Sequence, residues 1–124
     1  MSKYLLIAGF GAAGAVSRYA VDSWVSEITG GQLPWGTLTV NVLGAFLLGV
    51  LVAVTTDRLL LDQNWRIGLG IGFLGSFTTF STYAYESVRL AEDSAWALTL
   101  ANVFGMVALG LTAAIAGLAV GRTI

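Results

Sequence analysis

The sequence predicts an all-α membrane protein with four transmembrane helices in each subunit, and three observations carry that prediction. Of the 124 residues, 56% are hydrophobic and 10% are charged, against roughly 45–50% apolar and 25% charged in ordinary soluble domains. Mean hydropathy is +0.82, which a water-soluble globule does not reach. The Lys and Arg residues leave four apolar stretches between them. Because one crossing needs about 20 apolar residues, four helices and three short connections use up almost the whole chain. The expected organisation is a single four-helix transmembrane domain over residues 1–124.

The first span is predicted near Tyr4–Val25. It begins close to the N-terminus, but more spans follow and no persuasive cleavage site does, so it reads as a structural helix rather than a removable signal. Arg18 lies late in it, with Asp22 one turn on. Two readings are open for Arg18: an i, i+4 ion pair with Asp22, or a cation that raises local anion concentration at a pore mouth.

The second span, near Pro34–Thr56, opens with Trp35-Gly36-Thr37-Leu38-Thr39-Val40-Asn41. Thr37 and Asn41 are four apart and share a helical face. The amide of Asn41 supplies two N–H donors and one acceptor, and Thr37 a rotatable hydroxyl. Together they suit an anion shedding part of its hydration shell, while a staple to a neighbouring helix, a common use of membrane Asn, fits as well.

The third span, near Ile67–Val88, holds the most informative feature of the chain: the polar run Thr78-Thr79-Phe80-Ser81-Thr82 inside apolar sequence. In hydrocarbon an unpaired polar group costs several kcal/mol, so polar or broken backbone is tolerated only where it is buried in protein or lines a water or ion path. Gly75 and Ser76 weaken the helix, and the hydroxyls of Thr78, Thr79, Ser81 and Thr82 compete for its hydrogen bonds. A break here would free carbonyls for a hard cation and N–H groups for an anion; a continuous helix with its hydroxyls bonded one turn back is the other reading. Phe80 and Tyr83 share a face, and an anion meets such rings at their positive edges. Glu86 follows near the end of the span.

The fourth span, near Ala95–Val120, carries Thr99, Asn102 and Thr112. Asn102 either lines a path or bonds a neighbour. Small residues recur at helix-packing spacing in every span: Gly11 with Ala15, Ala45 with Gly49, Gly68 with Gly72, and Ala113, Gly117 and Gly121. Such spacing lets backbones approach closely.

Cys and His are both absent, which removes disulfides, thiol nucleophiles, imidazole bases and the usual soft metal ligands. Enzyme chemistry is therefore not expected. Four spans place both termini on one side with Lys3, Arg58, Arg66 and Arg122, and Arg89 on the other, a bias that favours cytoplasmic termini. Four thin helices hardly enclose a pore, so any transport is expected from an oligomer, with the path inside or between subunits.

Three motifs in order resemble the Fluc (CrcB-like) family of fluoride channels over nearly the whole chain. They are the first-helix stretch Gly11-Ala12-Ala13-Gly14-Ala15-Val16-Ser17-Arg18-Tyr19, the second-helix stretch Gly36-Thr37-Leu38-Thr39-Val40-Asn41-Val42-Leu43-Gly44, and the third-helix signature Gly75-Ser76-Phe77-Thr78-Thr79-Phe80-Ser81-Thr82-Tyr83. The resemblance implies an antiparallel, dual-topology dimer whose third helix is broken, with two fluoride pathways and a structural sodium ion at the interface. It implies backbone carbonyls of Gly75 and Thr78 on sodium and no organic cofactor. Asn41, Phe80 and Tyr83 would face the fluoride path, with Thr37, Ser81, Thr82 and Asn102 along or beside it, and Arg18 and Glu86 as charges near its ends. The implied function is passive export: fluoride enters acid-exposed cells as neutral HF and dissociates inside, so a selective channel in the cell membrane drains it without an energy source.

The chain departs from the family pattern in four places. Tyr83 stands where Phe is common, Ser76 replaces the second Gly of a frequent pair, and Met106 and Gly110 stand where some members carry hydroxyls. The Lys and Arg bias makes a heterodimer with an oppositely oriented homologue an alternative to the homodimer. Two rival functions are weighed. A proton-coupled small multidrug exporter needs a titratable carboxylate deep in a span, whereas Asp22 and Glu86 lie toward span ends. A non-transporting membrane subunit has no use for Thr78–Thr82 at membrane depth.

Overall fold

The computed structural model describes residues 2–31 and 33–124, and they are helical almost throughout. The first helix, α1 (Ser2–Thr29), runs 28 residues, about 42 Å at 1.5 Å per residue. Gly30 and Gly31 follow with φ of +86° and +71°, the left-handed conformation that ends helices without a Cβ penalty. Helix α2 (Trp35–Val52) starts after Pro34, whose missing N–H is no loss where the first helical donors have no partner anyway. It passes without interruption into a π-helical turn, Ala53–Asp57. The last long helix, named α6 for its place in the chain, is Trp96–Thr123.

These three helices, with α2 counted through its π turn to Asp57, are each long and apolar enough to cross a membrane. A fourth helical stretch lies between them and is composite. It consists of α3 (Gln63–Trp65), a nine-residue π-helical segment Arg66–Leu74, the short α4 (Gly75–Phe77), and α5 (Phe80–Glu92). Between α4 and α5, Thr78 (φ −91°, ψ 159°) and Thr79 (φ −150°, ψ 120°) are extended.

Close backbone approach holds the bundle together. Helix α2 packs most extensively against α6, and the glycines on their facing sides explain how. A Cβ on Gly117 would strike the Phe46 carbonyl, and one on Gly49 would sit 2.5 Å from the Ala114 carbonyl. Helix α1 lies against the π-helical segment in the same manner: Phe10 fills the space above Gly68 and Gly72, where an added Cβ would come within 2.9 Å of it. With lipid as apolar as any Leu side chain, tight contact rather than burial drives such packing.

Candidate functional site

Every backbone group freed at residues 78–79 has to be satisfied or to face a ligand. Asn41 does most of this. Its Oδ1 accepts from the Thr79 N–H at 2.8 Å, and its Nδ2 donates to the Thr79 carbonyl at 2.9 Å. One amide thus clamps both polar groups of a single extended residue. The same Nδ2 also donates to Met106 Sδ at 3.6 Å. The stapling use of Asn41 left open by the sequence is present, and the staple lies on the same groove as the aromatic pair described below.

Arg18 reaches the other side of the interruption. Its Nε donates to the Ser76 carbonyl at 3.1 Å, placing a cation at the C-terminal end of the first half of the stretch, where helix carbonyls lack partners. The i, i+4 pair with Asp22 does not form: among the described residues the ion pair within 4.0 Å is Arg122 with Asp57, at 2.8 Å. Ser76, the departure from a Gly-Gly pair, ties α1 to this half-helix through its hydroxyl. That hydroxyl lies 2.7 Å from the Gly11 carbonyl and 2.9 Å from that of Gly72.

Several carbonyls lose the donors that a continuous helix would give them, those of Gly75 and Thr78 among them. The Thr79 N–H, four residues after Gly75, goes to Asn41. The Thr82 N–H, four residues after Thr78, goes to the Thr79 hydroxyl at 3.2 Å. That second bond caps the N-terminus of α5, a helix end that carries partial positive charge. Around the cap the Thr79 hydroxyl lies 3.3 Å from that of Ser81 and 3.1 Å from that of Thr82.

Phe80 and Tyr83 meet edge to face, with ring centroids 5.6 Å apart and planes at 63°. Phe80 is 78% exposed. Tyr83 is buried, and its hydroxyl donates to the Val103 carbonyl at 2.8 Å. The extra phenolic group therefore anchors the ring to α6. Asn41, Gly75, Thr78, Thr79, Phe80, Tyr83 and Met106 all line one open groove of about 380 Å³.

The remaining sequence candidates lie elsewhere. Thr37 is 1% exposed and, with Asp22, neighbours the Glu86 carboxylate. The Oε1 of Glu86 is buried with no hydrogen-bond partner among the described residues. Asn102 donates to Ser87 Oγ at 2.8 Å, and Ser87 donates to the Tyr83 carbonyl at 2.9 Å. Asn102 lines a second cavity rather than the groove. Ser87 was not visible as a candidate, since one Ser on an amphipathic helix has no signature until Asn102 is seen to face it. Among the described residues no group of His, Cys, Asp and Glu could hold a metal ion. The oxygens left to a hard cation here are those of carbonyls, hydroxyls and side-chain amides.

The comparisons with known proteins agree in direction. The family model described as CrcB-like protein, Camphor Resistance (CrcB), matches residues 5–118. The protein named Fluoride-specific ion channel FluC of Geobacter sulfurreducens is 46% identical over 122 residues, 98% of each chain. Those of the same name from Koribacter versatilis (40% over 122 residues, 98% of this chain and 97% of the relative) and Geotalea uraniireducens (47% over 103 residues, 83% of each) are similar too. With a family model spanning nearly all of its length and relatives of this identity covering 83–98% of it, the chain belongs to the CrcB-like family and is a multi-pass membrane protein.

Proposed function

We propose that this protein is a fluoride-selective channel of the cell membrane that lets fluoride leave passively down its electrochemical gradient. It is a channel and not an enzyme, as the names of its relatives also indicate. The observation that carries the reading is the groove at residues 78–79. There an interrupted helix presents the N-terminus of α5, a cluster of hydroxyls from Thr79, Ser81 and Thr82, and the edge-to-face rings of Phe80 and Tyr83 beside the Asn41 amide. Short N–H, O–H and ring-edge partners suit a small, strongly hydrated anion, because together they can replace its water shell while a larger ion is left poorly coordinated.

In this proposal the third helix is a single broken span, and two copies, or one copy and a homologue of opposite orientation, assemble antiparallel. Glu86 and Thr37 stand toward one end of the path, with Asn102 beside it. Arg18, offered by the sequence as a pore-mouth charge, instead works at the break through Ser76. The residues present fit a structural sodium ion: the Gly75 and Thr78 carbonyls are among those whose helical donors are directed elsewhere, and hard cations take oxygen ligands. Such an ion would hold the broken backbone and the interface together, leaving the anion contacts to the N–H, hydroxyl and ring groups.

The test is efflux from liposomes containing the purified protein alone, followed with a fluoride electrode and compared with chloride. Rapid fluoride loss with chloride retained is expected, and Phe80→Ala and Asn41→Ala are expected to stop it while the protein still assembles. Normal flux in both variants would remove those residues from the path. Absence of fluoride flux from folded protein, alone and with an oppositely oriented homologue, would refute the function.

A further inference from the structure

Two cavities flank α6, and one side chain stands between them. The groove at residues 78–79 has a volume of about 380 Å³. The second cavity, of about 230 Å³, is walled by Trp35, Leu38, Leu90 and Leu98 and carries Asn102 as its polar side chain. Among the described residues, Met106 alone lines both. It is 7% exposed, so it fills the wall rather than hanging off it. On its groove side, Met106 Sδ accepts from Asn41 Nδ2 at 3.6 Å. One turn earlier on α6, Asn102 donates to Ser87, and its amide has a second N–H. Thus an amide donor stands on each side of a thioether.

A thioether sulfur is a weak acceptor on an unbranched, adaptable side chain. An anion arriving in the groove is a far stronger acceptor, since charge-assisted hydrogen bonds are roughly twice as strong as neutral ones. It would take the Asn41 N–H from sulfur, and nothing else polar then holds the Met106 side chain in the wall. We infer that Met106 is the movable partition between the two cavities, and that it determines specificity by opening for a small anion that captures the Asn41 amide and staying closed to a larger one. This rests on the fluoride-channel reading and adds to it a gate at a position where some family members carry hydroxyls.

The experiment compares Met106→Ile and Met106→Ala with the unsubstituted protein in liposomes, measuring fluoride and chloride efflux and checking that each protein is monodisperse. Isoleucine nearly conserves volume, so folding should survive, but it is branched at Cβ and held in one strongly preferred χ1 rotamer on a helix. A stiff partition is expected to slow fluoride by about tenfold or more with chloride still excluded. Alanine removes the partition, so chloride leak is expected to rise about tenfold or more with fluoride no slower. Selectivity is a readout that loss of packing alone would not move in this pattern.

Fluoride efflux through Met106→Ile within about twofold of the parent, or chloride exclusion intact in monodisperse Met106→Ala, would overturn the inference. Should the alanine variant not fold, the isoleucine variant decides alone. No fluoride efflux from the unsubstituted protein, alone and with an oppositely oriented homologue, would take down the fluoride reading itself, an outcome distinct from parental flux with unaltered variants.

Discussion

Replacing Asn41 by alanine tests the central structural claim, that one amide holds the extended residue between α4 and α5. The substitution deletes the bonds to the Thr79 N–H at 2.8 Å and the Thr79 carbonyl at 2.9 Å. Among the described residues no other group bonds the Thr79 N–H or carbonyl, so both backbone groups are orphaned. A buried orphan costs about 1–3 kcal/mol, but Asn41 and Thr79 are only part-buried and interhelical bonds in membranes average about 0.6 kcal/mol. Taking about 1 kcal/mol per bond gives about 2 kcal/mol, which is about a 30-fold shift in the unfolding equilibrium. The assay is reversible denaturant unfolding in micelles, followed by fluorescence of the four Trp residues, with hydrogen exchange at the Thr79 amide as the local readout. A destabilisation under about 0.5 kcal/mol, with Thr79 exchange unchanged, would show that the amide does not hold this backbone.

Four further substitutions have expected outcomes. Gly117→Ala should destabilise the α2–α6 pair by about 1–3 kcal/mol, because its Cβ meets the Phe46 backbone and backbone cannot rotate away. Gly105→Ala, with nothing within 4 Å of an added Cβ, should be neutral or gain up to about 1 kcal/mol of helix propensity; equal effects in thermal unfolding would refute the packing argument. Arg18→Ala removes the donor to the Ser76 carbonyl and should cost about 1–2 kcal/mol, less than a fully buried charged bond. Its amides at residues 76–82 should exchange faster, and unaltered exchange there would count against the cap. Tyr83→Phe keeps the ring but loses the bond to Val103, so fluoride efflux should persist while stability falls by about 1 kcal/mol. Lost flux at unchanged stability would show instead that the phenol contacts the anion.

Membrane residence, the positions of the helical stretches and the region of interest were all legible in the sequence by itself. They depend on local properties: apolar length, Gly and hydroxyl content, and the incompatibility of a hydroxyl run with a hydrocarbon surrounding. The ordered motifs around Arg18, Asn41 and Thr78–Tyr83 also sufficed to suggest the family. Only the tertiary structure decided what those residues touch. Arg18 bonds a carbonyl 58 positions away in preference to Asp22 one turn on, and Asn41 clamps a residue 38 positions away. Helical periodicity reports which face a side chain occupies, not which segment lies opposite. The nine-residue π-helical segment was equally invisible, because its wider turn has no composition of its own. In sequence Met106 stands out only as a departure, at a position where some family members carry hydroxyls. That it divides two cavities follows only from α2, α5 and α6 converging on it, since a wall between spaces exists only once the elements around them are packed.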